Sequence, residues 1–195
     1  MFLDTVPQMK TYDLRGDLVR IEGYTPLYSI TKSVIQRGVT SLGFIGDIQY
    51  AMTNLDRYRG FVHCMQDHHI KINERVCLTR SIGIFSYYQE LSSFLDSLEE
   101  LPEAFICASD FIAHFLKRYF SDHKERIPDG IIVTGYDGSR EYTNIDGQLT
   151  TADVKTGLLG KRLSMQIVYR MKHPDAPCEL AYIKPPIIYR DSVIY

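Results

Sequence analysis

The chain has 195 residues, of which 45% are hydrophobic and 24% charged, with a formal net charge of -2. This length and composition predict a globular protein with a sizeable core, built as one domain or as two small lobes. The charge balance gives no overall basic field, so sequence-independent attraction to a nucleic-acid backbone is not expected from this chain alone.

Cysteine usage and the first residues indicate the compartment. The four cysteines have no CxxC spacing, which favours free thiols in a reducing environment over a disulfide framework. The opening MFLDTVPQMK lacks the basic start and long apolar run of a secretion signal, and the sequence contains no apolar stretch long enough to span a membrane. We therefore expect a cytoplasmic protein.

The first part of the chain predicts short strands and one well-marked helix. Residues 1–4 resemble the end of a short buried strand that begins abruptly, 7–17 a polar linker, and 18–21 another short strand. Thr25 followed by Pro26 is typical of a helix N-cap with proline at the first helical position, and Gly38 would end this helix.

A unit of strand, polar strand end and helix then recurs along the chain. Apolar strands are predicted at 41–45, 104–108 and 131–134, with a further strand end at 80–85; the helices are predicted at 54–67, 86–98 and 110–120. Such a repeat predicts an α/β fold, a Rossmann-like parallel sheet flanked by helices. After residue 151 the pattern changes to a helix over 155–171, a strand over 179–183 and a final extended segment.

Asp137 is the first candidate for a functional residue. It follows the buried strand 131–134 in a glycine-flanked turn, and ligands of open parallel sheets bind beyond the carboxyl ends of the strands. The alternative is a turn aspartate that only caps its own backbone. Local sequence supports both interpretations equally. Tyr50 and Tyr136, on strand-end loops, are further ligand candidates.

Arg57 is the second candidate. It lies near the start of the helix predicted over 54–67, where the helix dipole disfavours a cation, so it would be better used on a partner in a cleft. A solvated surface arginine is the alternative, and local sequence favours it.

The sequence indicates neither a catalytic site nor a metal or cofactor site. Cys64 and His68 in HCMQDHH are four residues apart on a helix, but the second, distant pair of ligands that a closed zinc site needs is missing. Phosphate-binding glycine loops and the GxSxG nucleophile elbow are also missing. Asp146 lies near Asp137, but a flexible loop is a poor frame for acid–base chemistry.

Several motifs together resemble the effector-binding domain of the lactose/galactose repressor family of transcriptional regulators. Their order and spacing are kept from about residue 18 to 193, and they are RGVTSLGFIGD, RYRGF, ICASD, VTGYDGS, LTT and PPIIYRDS. The resemblance implies a periplasmic-binding-protein-like domain whose two lobes close over a small molecule, usually a sugar, a sugar phosphate or a purine.

The resemblance also implies roles for individual residues. Arg57 matches the arginine that grips ligand hydroxyls or a carboxylate, and Asp137 matches the aspartate that accepts from sugar hydroxyls. Phe85 stands where the family has an aromatic platform, Thr53 where it has a small hydroxyl residue, and Ser109 where asparagine is common. Serine lacks the amide group of asparagine, so the identity of the ligand does not follow from this position.

The same resemblance implies a domain division. Residues 1–17 would be a remnant of the N-terminal lobe with a linker, 18–151 the C-terminal lobe, 152–183 a return to the N-terminal lobe, and 184–195 a final extended segment on the C-terminal lobe. Much of the second lobe and the N-terminal helix-turn-helix of the family are missing from the sequence, so operator DNA would be bound only through a part that this chain lacks.

We therefore expect the effector-sensing, sugar-binding and dimerising domain of a regulator, not an enzyme, that works as a homodimer without cofactor or membrane contact. A solute-binding protein of a sugar transport system is the main alternative, and an α/β enzyme is a third. A secretion signal in the complete gene would favour the transport protein, and turnover or a bound cofactor would favour the enzyme.

Overall fold

Two separate three-stranded parallel sheets frame the computed structural model, which describes residues 1–10 and 13–192. The first sheet has the order β1-β2-β7, from β1 (Phe2–Leu3), β2 (Leu18–Ile21) and β7 (Leu180–Ile183). The second has the order β3-β4-β5, from β3 (Leu42–Ile45), β4 (Ala104–Cys107) and β5 (Ile132–Thr134). An antiparallel pair is formed by β6 (Thr151–Ala152) and β8 (Ile187–Ile188).

Within the described residues, five α-helices connect or cover these strands. They are α1 (Tyr24–Ile35), α2 (Met52–Asp67), α3 (Tyr87–Asp96), α4 (Asp110–Asp122) and α5 (Thr156–Lys172). Short 3-10 turns lie at Glu74–Val76 and Lys124–Arg126. None of the helices in the described part of the chain is both long and apolar enough to cross a membrane.

The core is centred on β3, β4 and β5, in which every residue is buried. Strands covered on both faces need continuous apolar runs, which explains why these segments show no alternation of polar and apolar residues. Helices α1 and α2 pack closely, since a Cβ at Gly60 would lie only 2.3 Å from the carbonyl oxygen of Tyr24. The predicted α/β architecture with a parallel sheet is confirmed.

Two local predictions are wrong. Residues 80–85 form no strand; only Leu78 makes a single parallel bridge, to Ile45, and the polar and glycine residues that follow leave the sheet. Helix α1 begins at Tyr24, and Thr25 is not its N-cap. The carboxylate of Glu22 instead accepts a hydrogen bond from the Thr25 N–H, 2.8 Å away.

The strands of the first sheet do not follow the domain division expected from the sequence. β1 is a strand as predicted, at the edge of the sheet beside β2, but Phe2 and Leu3 are exposed and not buried. β2 itself pairs with β1 and β7, so the strand that opens the predicted segment 18–151 lies in the other sheet. The final segment pairs with β6 through β8, and its last three residues lie outside the described residues.

Asp17, assigned from sequence to a polar linker, is a buried carboxylate that fixes α5 to the first sheet. It is 2% exposed and accepts hydrogen bonds from Arg170 Nε at 3.1 Å, Gln166 Nε2 at 2.9 Å and the Glu179 N–H at 2.9 Å. The hydrogen bond from Arg170 is the largest influence holding the Asp17 pKa well below its usual range, against the opposing effect of burial. The network explains why Gln166 is buried on α5 while Ile167 is exposed.

Asp17→Asn is expected to lower the free energy of unfolding by about 3 kcal/mol at pH 7, because it leaves Arg170 without its buried anion. A carboxylate with a depressed folded-state pKa stabilises above its unfolded pKa, so the deficit should shrink as the pH falls below about 4. Urea unfolding at pH 7 and pH 3 measures both effects. Asp13→Asn, on the same segment but exposed, is the matched control; equal stability of the two variants would contradict this role.

Candidate functional site

A cleft of 870 Å³ lies between the two sheets, beyond the carboxyl ends of β3, β4 and β5. Its wall includes residues just beyond the ends of these strands, namely Gly46, Ser109 and Asp137. Thr53 and Arg57 of α2 and residues of the first sheet complete it. The arrangement follows the general rule for open parallel sheets. It brings four of the five predicted ligand residues to one cavity.

Arg57 is buried and held in one orientation. It is 7% exposed, its Nη1 donates to the carbonyl oxygen of Ala108 at 2.6 Å, and its guanidinium carbon lies 3.6 Å from the ring centroid of Tyr136. A planar guanidinium can stack and hydrogen-bond at the same time. The alternative of a solvated surface arginine is therefore wrong.

The guanidinium of Arg57 keeps donors that the protein does not satisfy. Nε is buried and has no hydrogen-bond partner among the described residues, and Nη2 lies 3.7 Å from Asp137 Oδ1, beyond normal hydrogen-bond length. An unsatisfied buried donor is unfavourable unless a ligand or water meets it. Because Nε has almost no accessible surface, Nη2 is the nitrogen of Arg57 that can donate to an oxygen in the cleft.

Asp137 has a fixed backbone and an accessible carboxylate. Its N–H donates to Ala152 O at 2.9 Å and its carbonyl oxygen accepts from Val154 N at 3.1 Å, which holds an unusual φ of 114°. Its side chain is 41% exposed and, within the described residues, accepts no backbone hydrogen bond. The carboxylate faces the cleft instead of capping its turn.

Partial burial raises the pKa of Asp137 to about 6; the Arg57 charge opposes this effect and the nearby Asp110 carboxylate adds to it. Above pH 6 the group is therefore an anion that only accepts hydrogen bonds. Beside the Arg57 donors it forms a pair that can hold two neighbouring hydroxyl groups, each of which both donates and accepts.

The other three predicted ligand residues differ in what they can offer. Thr53 is 4% exposed and donates its hydroxyl proton to the Asp4 carboxylate. Ser109 caps α4 by accepting from the Ile112 N–H at 3.4 Å, which leaves its own O–H as a donor. Phe85 is fully exposed and is not part of the cleft wall.

Aromatic side chains do line the cleft, but at other positions. Tyr87 and Phe111 both belong to the wall, and their ring centroids lie 4.9 Å apart in an edge-to-face arrangement. Tyr87 is the first residue of α3, two positions after Phe85, and the local sequence does not indicate which of the two aromatic side chains reaches the cleft. Of the two tyrosine candidates, Tyr50 lines the cleft, whereas Tyr136 is fully buried beneath Arg57.

A set of polar contacts links α2 to the first sheet. Arg20 of β2 is 4% exposed, donates to Asp56 of α2 and contacts Tyr182 Oη of β7 at 3.3 Å. Asp4, which follows β1, accepts from Thr53 at the start of α2. Sequence reasoning missed this link, since nothing local distinguishes Arg20 from a surface strand residue.

The histidine-rich end of α2 is organised by contacts within the protein. His68 Nδ1 lies 2.8 Å from the Cys64 carbonyl oxygen, and His63 contacts Tyr24 and Asp67. Among the described residues, no group of three or more histidine, cysteine or acidic side chains is placed to hold a metal ion.

Comparison with known proteins gives a consistent set of relatives. The family profile described as "Periplasmic binding protein-like domain" matches residues 31–193. A protein named HTH-type transcriptional repressor PurR, from Mannheimia succiniciproducens, is 25% identical over 177 residues, covering 91% of this chain and 53% of the relative. The HTH-type transcriptional regulator RegA of Clostridium saccharobutylicum is 27% identical over 190 residues, covering 95% and 57%. The chain spans about half the length of these curated relatives.

Solved structures share the fold. A LacI family transcriptional regulator from Enterococcus faecium, with bound ribose, superposes with a TM-score of 0.79 at 17% identity and covers 95% of this chain and 67% of that one. The transcriptional regulator CelR in complex with cellobiose gives a TM-score of 0.76 at 18% identity, covering 91% and 54%.

Asp137→Asn is expected to raise the melting temperature of the unliganded protein at pH 7.5. The folded-state pKa of Asp137 lies above its unfolded value of 3.8, so ionisation destabilises the fold as the pH rises from about 4 to 6. Asparagine removes that charge and tolerates a positive φ. The gain should narrow as the pH falls towards 4, as thermal melts across this range measure.

Asp146→Asn is the control, because Asp146 is an exposed acid nine residues further along the chain. A lower melting temperature for Asp137→Asn at pH 7.5 would show instead that the ion pair with Arg57 is a net stabilising contact.

Proposed function

Because the chain belongs to the family of periplasmic binding protein-like domains, we propose that it is the effector-sensing and dimerising part of a LacI-type transcriptional regulator. The proposed effector is a small hydroxylated molecule, a sugar or sugar phosphate, bound in the cleft. The observation that carries this proposal is the pair of Arg57 and Asp137, held side by side at the carboxyl ends of the strands.

The chemistry of the pair supports a ligand with neighbouring hydroxyl groups. The Asp137 carboxylate would accept a hydrogen bond from one hydroxyl, and Nη2 of Arg57 would donate to the oxygen of the next. The hydroxyl of Ser109 provides a further donor on the same wall. We propose reversible binding rather than turnover, in line with curated relatives that are named as transcriptional regulators.

Contacts around the pair suggest how binding would be transmitted. Arg57 lies on α2, which also carries Asp56 and Thr53, the two residues bonded to Arg20 and Asp4 beside the first sheet. A ligand held by Arg57 and Asp137 would favour the placement of α2 that suits both groups. It can shift the arrangement of the two sheets only by binding one arrangement more tightly.

The complete regulator would act as a homodimer in the bacterial cytoplasm. In the proposal, DNA is contacted by a helix-turn-helix outside this sequence, as the names of the curated relatives suggest. The change in the arrangement of the two sheets would then alter the distance between the two helix-turn-helix domains of the dimer.

A thermal-shift screen of monosaccharides, disaccharides, sugar phosphates and purines tests the proposal. A binder in large excess stabilises the folded state by an amount set by its concentration relative to its Kd. We expect at least one hydroxylated compound to raise the melting temperature. Asp137→Asn should abolish that shift, and Asp146→Asn should retain it. The proposal would be contradicted if no compound raised the melting temperature, or if the Asp137→Asn variant showed the same rise as the unchanged protein.

Arg57→Lys should weaken binding of the same compound at least about tenfold, because a single ammonium cannot stack on Tyr136, reach Ala108 O and donate to the ligand together. Arg59→Lys is the matched control, since Arg59 is exposed on the same helix. Isothermal titration calorimetry measures both affinities. An unchanged affinity of the Arg57→Lys variant would show that Arg57 does not bind the ligand.

A further inference from the structure

The backbone at Asp137 is held in a conformation that residues with side chains rarely adopt. Its φ is 114°, and the next residue, Gly138, has a φ of 69°. Glycine takes a positive φ readily, but at an aspartate the same region is unfavourable and persists only where neighbouring contacts enforce it. The contacts that enforce it therefore also decide where the Asp137 carboxylate lies.

Asp110, the first residue of α4, makes contacts on both sides of this turn. It is 2% exposed, and its N–H donates to Tyr136 O at 2.7 Å. Its Oδ2 accepts from the Ser139 N–H, also at 2.7 Å. One buried residue thus bonds to the backbone immediately before Asp137 and immediately after Gly138.

The hydroxyl of Thr151 extends this network to the middle of the turn. It donates to Asp110 Oδ1 at 2.9 Å and accepts from the Gly138 N–H at 3.2 Å. Thr151 is the first residue of β6, and the next residue, Ala152, accepts from the Asp137 N–H at 2.9 Å. Every residue from 136 to 139 therefore has a backbone hydrogen bond to Asp110 or to β6.

An acidic residue in the first turn of a helix often serves only that helix. In α4 the N-cap is Ser109, whose Oγ accepts from the Ile112 N–H. The Asp110 carboxylate is directed to the neighbouring turn instead, and it lies so close that a Cβ at Gly135 would be 2.0 Å from its Oδ1. A role confined to α4 does not account for these contacts.

We propose that Asp110 is a positioning residue for Asp137, acting through the Ser139 N–H and the Thr151 hydroxyl to hold the Asp137 carboxylate at the cleft. Neither Asp110 nor Thr151 lines the cleft, so both act on a ligand only through Asp137. The inference deepens the proposed function, and its effect on ligand binding rests on that function.

Three threonine variants test the network. Thr151→Val replaces the hydroxyl with a methyl group of similar size, whereas Thr151→Ser keeps the hydroxyl. Thr150→Val is the matched control, because Thr150 and Thr151 are both 4% exposed. The Thr150 hydroxyl donates to Arg190 O at 2.9 Å and not to Asp110.

Amide hydrogen exchange at Asp137 and Val154 reports the state of the turn. The Asp137 N–H donates to Ala152 O and the Val154 N–H to Asp137 O, so neither bond is itself removed by a threonine variant. Thr151→Val should speed exchange at both amides at least about tenfold relative to the buried amides of β4, which correct for any loss of overall stability. Thr151→Ser should match the unchanged protein, and Thr150→Val should show no such local increase.

Asp110→Asn tests the carboxylate directly. Its single side-chain oxygen cannot replace both carboxylate oxygens, which accept from Ser139 and Thr151, so exchange at Asp137 and Val154 should again rise locally. If this variant does not fold, the threonine variants decide alone. With an effector found in the screen described above, Thr151→Val should also bind severalfold more weakly, and Thr150→Val should not.

The outcomes separate this inference from the function on which it rests. Equal exchange in Thr151→Val and Thr150→Val would overturn the inference and leave the sensor function standing, because exchange is measured without ligand. An effector that binds both variants equally would overturn it as well. Faster local exchange in Thr151→Val, with no effector found, would support the positioning role and contradict the proposed function.

Discussion

The fixed position of Arg57 is the constraint on which the proposed site depends. Its guanidinium is held between the Ala108 carbonyl oxygen, at the end of β4, and the ring of Tyr136, just beyond β5. These contacts attach the start of α2 to the edge of the sheet, and they place a cation 3.7 Å from Asp137 without consuming all of its donors. Nη2, the accessible nitrogen beside Asp137, has no hydrogen bond among the described residues, so a ligand oxygen in the cleft could accept from it.

Helix α2 is also the element shared by the two sheets. Asp56 accepts a hydrogen bond from Arg20 of β2, while the next residue, Arg57, lies on the cleft wall. Two adjacent residues of one helix therefore contact the first sheet and the cleft, respectively. The Tyr136 hydroxyl adds a second connection, because it donates to Glu22 O, directly after β2, at 2.7 Å. The proposed ligand site and the contacts between the sheets therefore share the same few side chains, so a ligand bound there could favour one arrangement of the sheets.

The sequence predicted the architecture well where local patterns determine it. The three buried strands, their polar ends and the helices after them follow from apolar runs and periodicity, and the resemblance pointed to Arg57 and Asp137, which the structure brings to one cleft. Contacts between distant residues were not predictable. Asp17 meets Arg170 across 153 positions, and Tyr87 instead of Phe85 reaches the cleft because the loop before α3 leaves the sheet. Local sequence carries no signal for either.

The most direct test of the central claim is a crystal structure of this chain with an effector identified by binding. Our account predicts a ligand in the cleft with one hydroxyl oxygen within 3.2 Å, a normal hydrogen-bond distance, of the Asp137 carboxylate and another within the same distance of the Arg57 guanidinium. A ligand bound elsewhere, or one in the cleft that leaves both groups without a contact, would contradict it.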